Sequence, residues 1–243
     1  MHRFYAPGFT DEGLVELPAD EAQHLARVLR LGVGDEIAVF DGHGREWLAR
    51  VASVTAKGVR VEATEPRTPV PEPRVALTLA QALLKSDKMD RVIRDAVMLG
   101  VAAVQPFVSR RTDVPIKAVQ KGGRQDRWQR TVIASVKQCG RAVVPPVYDT
   151  RDFEELLRTT AGRTRLMFVE PGSAEPASLA TLEGQTMSEP IVFVGPEGGW
   201  DAQEVATAAA SDVRLLSFGQ RVLRADAAGA AVIAALRYIW RDM

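Results

Sequence analysis

The sequence predicts an α/β protein in two parts, a small β-barrel-like domain over 1–70 and a larger domain over 71–243 built on a mostly parallel sheet. Three observations predict it. The chain has 243 residues, more than the ~100–200 typical of one domain. The stretch "EPRTPVPEPR", residues 65–74, places four prolines in ten residues and reads as an extended, semi-rigid connector. On either side of it the spacing of apolar segments differs, from short strands before it to alternating strands and helices after it.

Taken in order, residues 20–31 carry the apolar spacing of a helix, "EIAVFDG" reads as a strand, Asp41 to Gly44 as a turn, and "EWLARVASV" and "VRVEAT" as two further strands. After the connector, "VALTLAQAL" reads as a strand, "SDKMDRVIRDAVMLG" as a helix, "VAAVQPFV" as a strand and "RWQRTVIASVKQCG" as a helix. "RLMFVE", "PIVFVG" and "VRLLSFG" are three more strands, and "DAAGAAVIAALRYIW" is a closing helix. No internal repeat interrupts this pattern.

The stretch "IVFVGPEGGWDAQEV", residues 191–205, carries the first chemical signal. Four apolar residues form a buried strand, and Asp201 and Glu204 have the spacing of a helix capping box. The glycines therefore lie in a loop beyond the carboxyl end of a strand, where open α/β sheets bind ligands. Phosphate does not suit it, because Glu197 would oppose an anion and neither GxGxxG nor a P-loop pattern is present. Backbone contacts to an adenine or ribose suit it better, although the same loop could be a tight connection with no ligand. The segment "FGQRVLRADAAG" repeats the strand, glycine loop and helix order near the C-terminus.

Composition bounds the partners. The formal charge is zero, yet from Arg110 to Arg141 nine basic residues face only Asp113 and Asp126, a net of +7 that leaves −7 for the remainder. Such a basic segment suits a nucleic-acid backbone, or else a solvated helix face. One cysteine, Cys139, excludes an internal disulfide, and three scattered histidines argue against a metal site. With no signal-like N-terminus and no membrane-length apolar run, a cytoplasmic location is expected.

"HLARVLRLGVGDEIAVFDG", "KMDRVIRDAVMLGV", "KQCGR", "VGPEGG" and "FGQRVLRAD" occur in the order found in bacterial RsmE-type methyltransferases, which the whole chain resembles. That resemblance implies an N-terminal PUA-like RNA-binding domain and a C-terminal SPOUT domain, a parallel sheet with helices on both sides and a deep C-terminal trefoil knot. It implies S-adenosyl-L-methionine as cofactor, methylation of nitrogen 3 of one uridine in 16S ribosomal RNA of the small subunit, and a homodimer. The cofactor residues it implies are Val169, Glu170, Gly195, Glu197, Gly198, Gly199, Leu216, Phe218, Gly219, Leu223 and Arg224. The chain departs from the family pattern at Met98 and Lys137, where an acidic residue is usual, and at Asp226 and Ala227 in place of Glu-Thr.

Uridine nitrogen 3 loses its proton to give an anion shared by two carbonyl oxygens. That anion needs cationic donors and alignment rather than a covalent cysteine adduct. Arg224, on a cofactor loop, is the first candidate for the donor and Arg141 the second. His24, Arg27 and Arg30 fall at i, i+3 and i+6 of the first helix and, with Arg3, Arg110 and Arg111, form the expected RNA clamp. The alternatives are another SPOUT enzyme such as a tRNA ribose 2′-O-methyltransferase, a Rossmann-type nucleotide enzyme, and a non-catalytic RNA-binding protein.

Overall fold

The computed structural model describes residues 1–9, 13–115, 123–173, 175–185 and 187–243. Lys117 and Lys121 of the basic segment lie outside the described residues. The chain forms two compact units: Met1–Glu72 with Ile133–Val144, and Pro73–Val132 with Pro145–Met243.

The first unit is a five-stranded sheet in the order β1-β3-β4-β5-β2. β3 (Glu36–Phe40), β4 (Glu46–Thr55) and β5 (Gly58–Arg67) occupy the segments expected from their apolar patterns. Two further strands, β1 (Arg3–Tyr5) and β2 (Leu14–Glu16), have three residues each, too few for a period-2 signal. β1 runs parallel to β3, while β3, β4, β5 and β2 pair antiparallel. Phe4, Leu25, Ile37, Val39 and Val61 are fully buried in its core. The proline-rich connector starts later than its composition suggests, because Glu65, Pro66 and Arg67 still pair with β4. Pro66 is tolerated there since, among the described residues, β2 pairs only with residues 60–62 of β5.

The first helix also differs from expectation. α1 (Ala19–Gln23) passes into a π turn over His24–Val28 and stops, and Arg30 lies beyond it at φ 55°. Arg30 therefore does not continue a helical face with His24 and Arg27. Asp35 accepts from the Gly32 amide at 2.7 Å in the turn that follows. Arg3, expected in the RNA clamp, is spent within this unit: its guanidinium donates to Glu46 at 2.7 Å and to the carbonyls of Val136, Lys137 and Arg141. Those bonds fasten the segment Ile133–Val144 to this unit. Lys137, the departure from the family's usual acid, donates to both oxygens of the buried Glu21 at 2.9 and 2.7 Å. Burial raises the Glu21 carboxyl despite that partner, so the lysine answers a charge that water no longer solvates.

The second unit is a seven-stranded, wholly parallel sheet in the order β10-β12-β9-β11-β6-β7-β8. Its inner strands β6 (Thr78–Ala82), β7 (Ala103–Val108), β9 (Arg165–Phe168) and β11 (Ile191–Val194) are almost completely buried, as their continuous apolar runs require. β12 (Arg214–Ser217) was expected, but the two-residue strands β8 (Arg151–Asp152) and β10 (Ala177–Ser178) were not. α2 (Lys88–Met98) buries Met89, Val92, Ile93, Ala96 and Val97, one stripe at helical spacing. It ends at Gly100, whose φ is +80° and where a side chain would meet Pro73.

The remaining helices are α3 (Arg124–Cys139), α4 (Phe153–Thr159), α5 (Ala202–Ala210) and α6 (Ala225–Ile239). α4 was not anticipated; its two turns are too short for a clear period, yet Phe153 anchors it against Phe107, Phe193 and Trp200. α6 buries Gly229, Val232, Ile233, Leu236 and, unexpectedly, Arg237.

Candidate functional site

Three adjacent strands of the second unit, β12, β9 and β11, release their loops at the same carboxyl edge of the sheet, as parallel pairing requires. These loops and the first turns of α6 enclose a cavity of about 400 Å³, within the size range of small-molecule sites. Of the expected cofactor residues, Val169, Glu170, Gly195, Glu197, Gly199, Phe218, Leu223 and Arg224 line it.

Gly198, Leu216 and Gly219 support the cavity without lining it. Leu216 is fully buried in β12 and its carbonyl accepts from the Val169 amide at 2.9 Å, tying two of the loops together. Gly198 lies against Arg111, whose Cβ would stand 3.1 Å from a side chain placed there. Gly219 has φ +75° and open space around it, so only its backbone conformation calls for glycine.

The two remaining glycines are needed for different reasons. At Gly195 a Cβ would fall 2.9 Å from the Trp200 indole nitrogen, which donates to the Phe168 carbonyl at 2.8 Å. Trp200 is itself stacked on Phe107 with ring centres 5.8 Å apart. Gly199 has φ +71°, and a Cβ there would lie 2.8 Å from a carboxylate oxygen of Glu170. The expected capping box is formed: Asp201 accepts from the Gln203 amide, and Glu204 accepts from the Asp201 amide. The other oxygen of Glu204 accepts from the Arg110 amide at 2.9 Å, which fixes the turn after β7 to this loop.

Glu197 pairs with Lys88 and accepts from the Lys85 amide at 3.2 Å. Burial acts to raise its carboxyl, but the Lys88 hydrogen bond, the Lys85 amide and the two ammonium charges outweigh that and hold it below the usual glutamate value. A carboxylate stabilised in this way is a brace for the loop and a poor proton acceptor. Arg224 is exposed, stands at the N-cap position of α6 without a capping side-chain bond, and touches Asp226 at 3.2 Å, leaving most of its guanidinium directed to solvent at the cavity rim.

Arg141 does not join it. Its side chain is 5% exposed, its guanidinium is paired with Glu72 inside the first unit, and it is not among the residues that line the cavity. Cys139 is half-buried, directs its thiol at the Val136 carbonyl, and is likewise absent from the lining. Arg110 and Arg111 are half-exposed and lie 3.6 and 3.7 Å from Asp201. In the first unit, Arg27 is exposed on the π turn, and His24 lines a separate hollow with His2, Lys137 and Gln138.

Sequence reasoning missed Lys88, Trp200, Arg221, Val222 and Asp226 as lining residues. Lys88 is 109 residues from its partner Glu197, a separation that no local pattern spans. Val222 was detectable, as an apolar residue within the polar Gln-Arg-Val-Leu-Arg loop, and it is 72% exposed.

A family model described as an RNA methyltransferase domain matches residues 71–237, and one described as an RNA methyltransferase PUA domain matches 17–64. The ribosomal RNA small subunit methyltransferase E of Synechocystis sp. is 33% identical over 234 residues, covering 94% of this chain and 74% of that protein. The chain belongs to the ribosomal RNA small subunit methyltransferase E family. A family structure from Neisseria gonorrhoeae, bound to S-adenosyl methionine, superposes with a TM-score of 0.89 at 32% identity, covering 99% of this chain and 98% of that one. A Legionella pneumophila protein solved with bound SAM gives 0.90 at 27% identity, over 97% and 96% of the two chains. The PUA assignment of the first unit and the parallel α/β architecture of the second are thus those of the family.

Proposed function

We propose that the protein methylates nitrogen 3 of a specific uridine in 16S ribosomal RNA, with S-adenosyl-L-methionine held by the three loops of the second unit. The observation that carries the reading is the cavity itself, whose walls are glycine-bearing loops held close to Trp200 and Glu170, where a Cβ at Gly195 or Gly199 would push the wall out of place. Its lining fits the group. Phe168, Val169, Val194, Phe218 and Leu223 give the lining apolar surface for an adenosine, and Glu170 and Glu197 would oppose a phosphate, in keeping with a ligand that has none.

When bound, S-adenosylmethionine supplies an electrophilic methyl group. The protein's part is to align the uracil and to stabilise negative charge on its oxygens as the ring nitrogen loses its proton. Arg224, exposed at the rim with one carboxylate neighbour, is the residue we assign to that charge. Glu197, held ionised by Lys88, is not assigned as the base. The uridine's Watson–Crick edge must be free, so the base is unpaired or flipped out when it enters. We assign RNA contacts to Arg27, Arg30, Arg110 and Arg111, all exposed, and to His24.

The trefoil knot, the division at about residue 70 and the homodimer belong to the same reading. The dimer is supported by α6, where Ala227 and Tyr238 are exposed and Ala231, Ala234 and Ala235 are only partly covered within the described chain. Sedimentation at micromolar concentration should give a species of twice the chain mass; an active single-chain species would remove the dimer from the reading.

Calorimetric titration with S-adenosylmethionine, then mass spectrometry of 16S ribosomal RNA from a strain lacking the gene, tests the proposal. Loss of one N3-methyluridine supports it, and an intact 16S RNA with loss of a tRNA ribose methyl would replace it. Arg110→Ala with Arg111→Ala should weaken RNA binding and flatten its salt dependence by about two phosphate contacts. Cofactor affinity should change less than about fivefold, because exposed ion pairs contribute ~0–1 kcal/mol and the Arg110 amide bond to Glu204 survives the substitution. An unchanged salt slope would show that these arginines face bulk solvent.

A further inference from the structure

The ionic groups lining the cavity are Lys88, Glu170, Glu197, Arg221, Arg224 and Asp226. Four of them are already matched, Glu197 with Lys88 and Asp226 with Arg224. Glu170 and Arg221 make no ion pair among the described residues. Glu170 follows β9, and its carboxylate rests against Gly199, where any Cβ would come within 2.8 Å of it. The absence of a side chain at Gly199 therefore makes room for a carboxylate at the cavity wall.

We propose that Glu170 is the specificity-determining residue by which this cavity distinguishes the charged methyl donor from its spent product. The inference rests on the cofactor reading above and deepens it. S-adenosylmethionine and S-adenosylhomocysteine share the adenine, the ribose and the amino-acid group, and differ in one methyl and one positive charge, on sulfur. An uncompensated carboxylate in a partly desolvated cavity attracts the sulfonium and has no such attraction for the neutral thioether. Arg221 complements the carboxylate common to both ligands and so does not discriminate. The consequence is functional: a site that favours the donor by charge releases the product once the methyl has left, and product inhibition is reduced.

The test is calorimetric titration of the wild-type chain and of Glu170→Gln with three ligands: S-adenosylmethionine, S-adenosylhomocysteine, and an analogue with a protonated amine in place of the sulfonium. Glu170→Gln keeps size and hydrogen-bonding capacity and removes charge. It should weaken the two cationic ligands on the order of tenfold and leave the neutral one nearly unchanged. Glu170→Asp, which retains the charge, should preserve the wild-type ratio, and Arg221→Gln should weaken all three ligands alike. If Glu170→Gln weakens all three equally, the carboxylate holds the ribose or the amino group and the proposal is wrong; if it weakens none, the carboxylate is not at the site. Failure of the wild-type chain to bind any of the three ligands would instead refute the cofactor reading itself.

Discussion

Gly195→Val should lose S-adenosylmethionine binding by more than about a hundredfold while the chain stays folded. A Cβ at this position comes within 3.0 Å of two atoms of the Trp200 indole, and valine adds two methyls beyond it. The indole cannot yield sideways, because it is 5% exposed, packed among Phe107 and Phe153, and hydrogen-bonded to the Phe168 carbonyl. The loop must yield instead, and it carries Pro196, Glu197 and Gly199 out of the cavity wall. Misplacing a preorganised wall by about 1 Å costs on the order of a hundredfold where geometry governs function. Titration calorimetry checks the affinity, and circular dichroism checks the fold. A folded Gly195→Val chain with wild-type affinity would show that the ligand lies elsewhere. The glycine is thus required for packing against Trp200 in the first place, rather than for direct approach of the ligand, which the sequence had suggested.

The second large effect is on stability. Arg237 is 2% exposed and donates to the carbonyls of Val75, Leu99 and Gly100 and to Asp242 at 2.7 Å. Asp242 in turn accepts from the amides of Arg74 at 2.7 Å and Val75 at 2.9 Å. This pair closes the C-terminal helix onto the strand entrance and onto the end of α2. Arg237→Met should destabilise the chain by about 3–5 kcal/mol, since it takes the buried guanidinium from a carboxylate that keeps only the Arg74 and Val75 amides and the exposed Arg74 side chain, and leaves three carbonyls without that donor. Adding Asp242→Asn should recover part of that loss.

The pH dependence follows from the carboxyl. Burial acts to raise Asp242, but the Val75 and Arg74 amides and Arg237 outweigh it and hold the folded value below the 3.8 of an isolated aspartate. The stability from this group is therefore fully present above that value and is lost as pH falls through the lower folded value. Denaturant titrations of wild type and Arg237→Met should differ most at neutral pH, and the difference should shrink as pH falls below 3.8 through the lower folded value, leaving the part due to the three carbonyls. A constant difference across that range would mean that the ion pair is not what Arg237 contributes.

Much of the architecture was legible in the chain because it is written in local periodicity. The buried strands Ile191–Val194 and Arg165–Phe168, the stripe of α2 and the Asp201–Glu204 capping box all lie within segments of a few residues. The glycine loops were legible for the same reason, whereas the eight expected residues that line the cavity, Val169 and Glu170 among them, came from the family resemblance. Short elements escaped, among them β1, β8 and β10 and the two-turn helix α4, because two to seven residues carry too little period to rise above composition.

What the tertiary structure alone decided is which charges are spent. Arginines and lysines look alike in a sequence, and the basic segment from Arg110 to Arg141 reads as one surface. In the fold, Arg141 is paired with Glu72 and Lys137 with Glu21, at separations of 69 and 116 residues, while Arg3 and Arg237 are consumed by backbone carbonyls. Arg224 and Arg221 remain at the cavity rim. A charge is available for chemistry only if no buried partner has already claimed it, and that is a property of which distant segments meet rather than of residue type.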